Sequence, residues 1–199
     1  MRPITCLALA VALIPGAAQA QHAEGHAHAS PYSGMEERPV ASLSASDIEA
    51  LRAGNGWGLA ISAELNSWPG PKHVLELQSQ LALTQEQAAA VTAIFEDMRA
   101  DAILAGARFI DAETALHDAF QSGELYLEEM TRLTERAGQA RAALRAVHLG
   151  AHLHTRRVLT AAQVERYDQL RGYSADPCDT VPEGHDPAMW RRHNGCETG

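Results

Sequence analysis

Residues 91–151 read VTAIFEDMRADAILAGARFIDAETALHDAFQSGELYLEEMTRLTERAGQARAALRAVHLGA. From Val91, apolar side chains recur at Phe95, Met98, Ala102, Ala105, Phe109, Ala112, Leu116 and Ala119, in alternating steps of four and three. A second run, Met130, Leu133, Ala137, Ala140, Leu144, Val147 and Ala151, alternates steps of three and four. Such steps keep one stripe of a helix facing a partner. Ser122-Gly123 lies between the runs, and glycine is favoured just past a helix end because it adopts left-handed backbone without strain. Two matched seams joined by so short a turn fold back on each other. The sequence therefore predicts an all-α protein built on a long antiparallel helical hairpin. Each arm, of about 35 residues, would be roughly 50 Å long.

Shorter helices flank this hairpin. Ser44 or Ser46 caps one that runs through Arg52, with Asp47 and Glu49 near its positive end. A further short helix is expected over 59–66. Pro71 can serve as the first residue of another, reaching about Leu81. Thr84 with Gln87, and Thr160 with Gln163, are spaced as capping boxes. The first opens the first arm, and the second opens a last helix ending near Leu170. The helical domain is expected over 41–172. The flanking helices cover some of the apolar edges left by two arms, and a second copy would cover the rest, which predicts a homodimer.

Residues 1–20 read as a signal peptide. Arg2 precedes an apolar run over 6–14, Pro15-Gly16 breaks it, and Ala18-Gln19-Ala20 fits a cleavage site, so the mature chain is expected to begin at Gln21. The run is about half the ~20 residues a bilayer span needs. Cys6 stands at the start of the run and not after it, which argues against a lipoprotein, and no later stretch is apolar enough to span a membrane. Residues 21–40 read as a flexible leader. His22, His26 and His28 stand there among Ala, Gly and Glu with no apolar period, and offer a loose site for Zn²⁺ or Cu²⁺. Residues 173–199 read as an irregular tail containing Cys178 and Cys196. In an oxidising compartment the default for this pair is a disulfide. A metal site shared with His185 and His193 is the alternative, although the spacing is not that of a zinc finger. Sixteen basic residues stand against twenty-five acidic ones. This balance argues against nucleic acid and anionic membrane as partners.

Leu83-Thr84-Gln85-Glu86-Gln87 and Leu159-Thr160-Ala161-Ala162-Gln163 are both LTxxQ motifs, one at each boundary of the hairpin. An exported all-helical chain with paired LTxxQ motifs resembles the Spy/CpxP superfamily over residues 72–171. That superfamily includes periplasmic chaperones, zinc-resistance-associated proteins and periplasmic heavy-metal sensors. The resemblance implies a periplasmic location and a role in sensing or buffering Zn or Cu. An ATP-independent holdase for unfolded clients is the alternative it offers, and a purely structural or interaction module of the cell envelope, with another envelope protein such as a sensor as partner, is a third reading. The chain is acidic, unlike the basic cradle of the chaperone members.

His148 and His152 are one helical turn apart on the second arm, a spacing that suits two imidazoles on one transition-metal ion. Folding the chain about 122–123 sets them opposite 93–98, where Glu96, Asp97 and Met98 are potential ligands. His73 is expected near the same end. An ordinary pair of half-buried histidines bonded to Asp97 or Glu96 fits the same spacing. No nucleophile motif, phosphate loop or HExxH zinc motif is present, and His148-Leu149-Gly150-Ala151-His152 lacks the glutamate base of the last. No enzyme activity is therefore expected.

Overall fold

The structure, a computed structural model, describes residues 30–174, 178, 181 and 183–196. The expected signal peptide and His22, His26 and His28 lie outside the described residues. Among the described residues all regular elements are helical, apart from one isolated bridge between Val40 and Leu43. The order is α1 (Ala45–Arg52), α2 (Ile61–Glu64), α3 (Pro71–Glu76), α4 (Gln85–Gln121), α5 (Leu127–Val158), α6 (Ala161–Leu170) and α7 (Pro187–His193), preceded by a 3₁₀ turn at Met35–Glu37. No helix among them is long and apolar enough to cross a membrane.

The two long helices carry most of the packing. α4 has 37 residues and α5 has 32, so they measure about 55 and 48 Å. Their seams meet in a core of Ala102, Ala105, Phe109, Ile110 and Leu144, with Ala140 and Val147 packed at its edge. Leu51 of α1, Leu59, Val40 and Leu43 close this core from outside the pair. Removing a side chain such as Leu144, 1% exposed, would cost about 2–5 kcal/mol. A second cluster of Val74, Leu81, Val91, Leu159, Val164 and Tyr167 joins α3 and α6 to the start of α4 and the end of α5.

Gly106 lets α1 approach α4 closely. A Cβ there would stand 2.7 Å from the Leu51 carbonyl oxygen. Ser44 caps α1 and exchanges bonds with Asp47, whose other carboxylate oxygen accepts the Trp57 indole N–H at 2.8 Å. These bonds hold the Asp47 pKa below the ordinary range, the Ser44 hydroxyl contributing most. Trp57 then packs on Phe109 and under the Arg141 guanidinium.

The LTxxQ motifs prove to be a clasp. Thr84 and Thr160 each accept a bond from the backbone N–H of the glutamine three residues on, and each glutamine reaches back to its threonine N–H. The two glutamines also bond each other, with Gln87 donating to Gln163 and Gln163 to Gln87, both at 2.9 Å. Gln87 further donates to the Val158 carbonyl and Gln163 to that of Leu81. The first turn of α4 is thereby tied to the last residue of α5. Leu83 and Leu159 pack into the cluster beneath.

Several boundaries differ from the sequence reading. The helix expected over 59–66 is a single turn, Ile61–Glu64, and the one expected to reach Leu81 stops at Glu76. Ser67, three residues past the first end, adopts a φ of 62°, a backbone region that α-helical progression does not allow, and Leu77, the C-cap of the second, leaves the helical region at φ −101° and ψ 13°. Residue 40, placed in the flexible leader, is buried, and the tail contains α7. Cys178 and Cys196 form a disulfide, so their sulfurs are not available as metal ligands.

Candidate metal centre

A cavity of about 300 Å³ opens between α3, α4, α5 and the Gly54–Gly56 loop, and His73, Met98, His148 and His152 all line it. On α5 the positions 144, 148, 151, 152 and 155 form one buried stripe. This stripe takes in the seam residues Leu144 and Ala151 and widens toward α2 and α3, both of which contact α5. It carries both imidazoles inward although neither is a seam residue. On α4, Phe95 and Met98 face the cavity. Asp97 and Glu96 are turned away by the 100° rotation per residue of a helix, and both are exposed. Asp97 lines a separate groove of about 540 Å³ with Ile94, Asp101 and His154, and Met98 borders both spaces. Neither Asp97 nor Glu96 supplies the hydrogen-bond partner that the sequence offered for the histidine pair.

The partners of the two histidines lie elsewhere. His152 Nδ1 is 2.6 Å from the Trp68 carbonyl oxygen. A carbonyl only accepts, so Nδ1 carries a proton and Nε2 is the ring nitrogen not engaged by this bond. Ser67, which directly precedes Trp68, adopts a left-handed φ of 62°. Gly70 lies against the same imidazole, because a Cβ there would stand 2.8 Å from Cε1 and 3.0 Å from Nε2. His148 is 2% exposed, and its Nε2 is buried with no hydrogen-bond partner. Burial, and secondarily the neighbouring His152, lower the His148 pKa and favour its neutral form. Neutral imidazoles with free nitrogen lone pairs are the form that binds metal ions. His73 bonds Glu76 through Nδ1 at 2.8 Å.

Glu64 was not legible in the sequence. It projects from the single turn α2 and places Oε2 3.9 Å from His152 Nδ1. That oxygen is buried and has no hydrogen-bond partner. Its other oxygen, Oε1, accepts from the Tyr167 and Tyr173 hydroxyls and lies 3.3 Å from Arg171 Nε. Tyr167 is fully buried, and burial followed by the Glu64 contact pushes its pKa far up, so it remains a donor. The spacing of Val164 and Tyr167 by three on α6 could have marked Tyr167 as inward-facing. Nothing comparable marks Glu64, since one helical turn has no period to read.

The arrangement therefore holds two imidazoles, a thioether and, 3.9 Å from His152 Nδ1, a carboxylate. No group of three His, Cys, Asp or Glu side chains converges on a metal position among the described residues. The protein supplies part of a coordination shell and leaves positions open. No family model, curated protein or solved structure matches the chain.

Proposed function

We propose that this protein is an exported, periplasmic metal-binding protein that buffers or senses copper or zinc, with His148 and His152 as its primary ligands. One observation carries the reading: His148 Nε2 is buried without a partner beside a His152 whose Nε2 is not engaged by the bond from Nδ1 to the Trp68 carbonyl. A buried polar atom without a partner costs about 1–3 kcal/mol, and a bound ion removes that cost at His148. A histidine that donates its second nitrogen to a carbonyl is the usual state of a metal ligand. Met98 at the same cavity adds a soft donor, which suits copper, and copper(II) also binds nitrogen sites most tightly among the divalent ions. His73, which lines the same cavity, is the next ligand in this reading.

In this reading α4 and α5 form an antiparallel hairpin of the Spy/CpxP type, and two copies associate through it. Titration calorimetry with Cu²⁺ and Zn²⁺ on the full chain tests the assignment. Binding at one ion per chain should persist when His22, His26 and His28 are replaced by alanine and be lost in His148→Ala/His152→Ala. Unchanged binding in the second variant would end the assignment. A holdase activity is the second reading, and large exposed apolar side chains favour it: Phe120, Tyr126 and Leu127 around the α4–α5 connection, and Leu104 on α4. Failure to suppress aggregation of a model client at several-fold excess would remove it.

A further inference from the structure

The cavity is much larger than a metal ion. Its volume of about 300 Å³ corresponds to roughly ten water-sized groups. Two imidazoles and one thioether leave at least one coordination position of a divalent ion to be filled from outside the protein. The remaining wall is chemically one-sided. Lys72 and Arg99 line it, none of its described lining residues is acidic, and Pro71, Phe95 and Ala60 supply apolar surface. The nearby carboxylates are not among the lining residues: Glu64 approaches His152 Nδ1 at 3.9 Å, and Glu76 bonds His73 Nδ1. Resting on the metal-site reading above, we infer that the cavity takes the ion together with a small carboxylate chelator, of the amino-acid or hydroxy-acid class. The chelator's oxygen or amine atoms fill the open metal positions, and its negative charge faces Lys72 and Arg99.

The association is non-covalent, and no group changes oxidation state. The two cations meet the charge of the chelator, while the imidazoles and the thioether supply lone pairs to the ion. A chelate with a short carbon skeleton fits the space, and the apolar wall tolerates an aliphatic side chain. Each cation is exposed, so its contribution is modest and separable from folding.

The test uses the full chain loaded with one Cu²⁺, followed by electron paramagnetic resonance during addition of glycine, ¹⁵N-glycine or citrate. The expected result is a new ternary copper signal while copper remains with the protein on gel filtration. With glycine the hyperfine pattern should change on ¹⁵N substitution. A response to citrate alone identifies the hydroxy-acid class, and a response to glycine alone the amino-acid class. Lys72→Ala/Arg99→Ala should raise the half-saturating chelator concentration by about three- to tenfold, with copper affinity in the absence of chelator unchanged. Simple stripping of copper by both chelators, or a ternary signal indifferent to the double variant, would overturn the inference while leaving the metal site intact. Copper that stays bound in His148→Ala/His152→Ala would instead overturn the metal-site reading, and this inference with it.

Discussion

Gly70→Ala is the sharpest single perturbation of the centre. Gly70 has φ −82° and ψ 145°, ordinary extended backbone, so alanine introduces no backbone strain and the effect is one of packing alone. The new Cβ would lie 2.8 Å from His152 Cε1, whereas carbon atoms in contact prefer about 3.5–4.0 Å. The ring must therefore withdraw by roughly 0.7 Å or more. It has little freedom to do so, being 8% exposed and tied through Nδ1 to the Trp68 carbonyl at 2.6 Å. Overpacking of this kind costs about 1–3 kcal/mol, which for a chain of this size lowers Tm by about 2–4 °C per kcal/mol. Disturbing the groups that orient a metal ligand typically weakens binding about ten- to hundredfold. Differential scanning calorimetry and metal titration on the same sample give both quantities. Gly56→Ala is the control, because Gly56 lines the same cavity but a Cβ there meets nothing within 4 Å. A Gly70→Ala protein with unchanged Tm and unchanged metal affinity would refute the reasoning.

Three further outcomes follow. The lowered His148 pKa means that the unfolded state binds more protons than the folded state between that lowered value and the ordinary 6.5. Stability is then full above about pH 6.5 and falls as the pH drops through this window, and chemical denaturation of His148→Leu at several pH values should show a shallower acid loss. In the clasp, Gln87→Ala and Gln163→Ala should each cost about 1–2 kcal/mol, and a double-mutant cycle by urea denaturation should give a coupling of at least about 0.5 kcal/mol; strict additivity would contradict the observed pairing. Gly106→Ala should destabilise by about 1–3 kcal/mol because the Leu51 carbonyl blocks the methyl, and circular dichroism should show helicity retained while Tm falls.

The legible part of the fold is the part with a period. The alternating steps from Val91 and from Met130 continue through α4 and α5, and the Thr-x-x-Gln spacing marks helix starts because the cap is local chemistry. What the motif spacing could not convey was the bond between the two glutamines, which requires two distant turns to meet. The same limit explains the site. His148 and His152 were legible as an i, i+4 pair, and Met98 as a seam residue opposite them. Asp97 and Glu96 were assigned by sequence distance from the turn, which ignores the rotation that sends them to other faces. Trp68 and Glu64 reach His152 from a link with one helical turn and a left-handed Ser67, a path that no periodic pattern specifies.

X-ray absorption at the copper or zinc edge of the metal-loaded full chain tests the central claim most directly, with His22, His26 and His28 replaced by alanine so that only the folded domain contributes imidazoles. The account predicts imidazole scattering from two histidines at about 2.0 Å, reduced to one in His148→Ala. A spectrum without imidazole scattering, or one identical in His148→Ala, would contradict it.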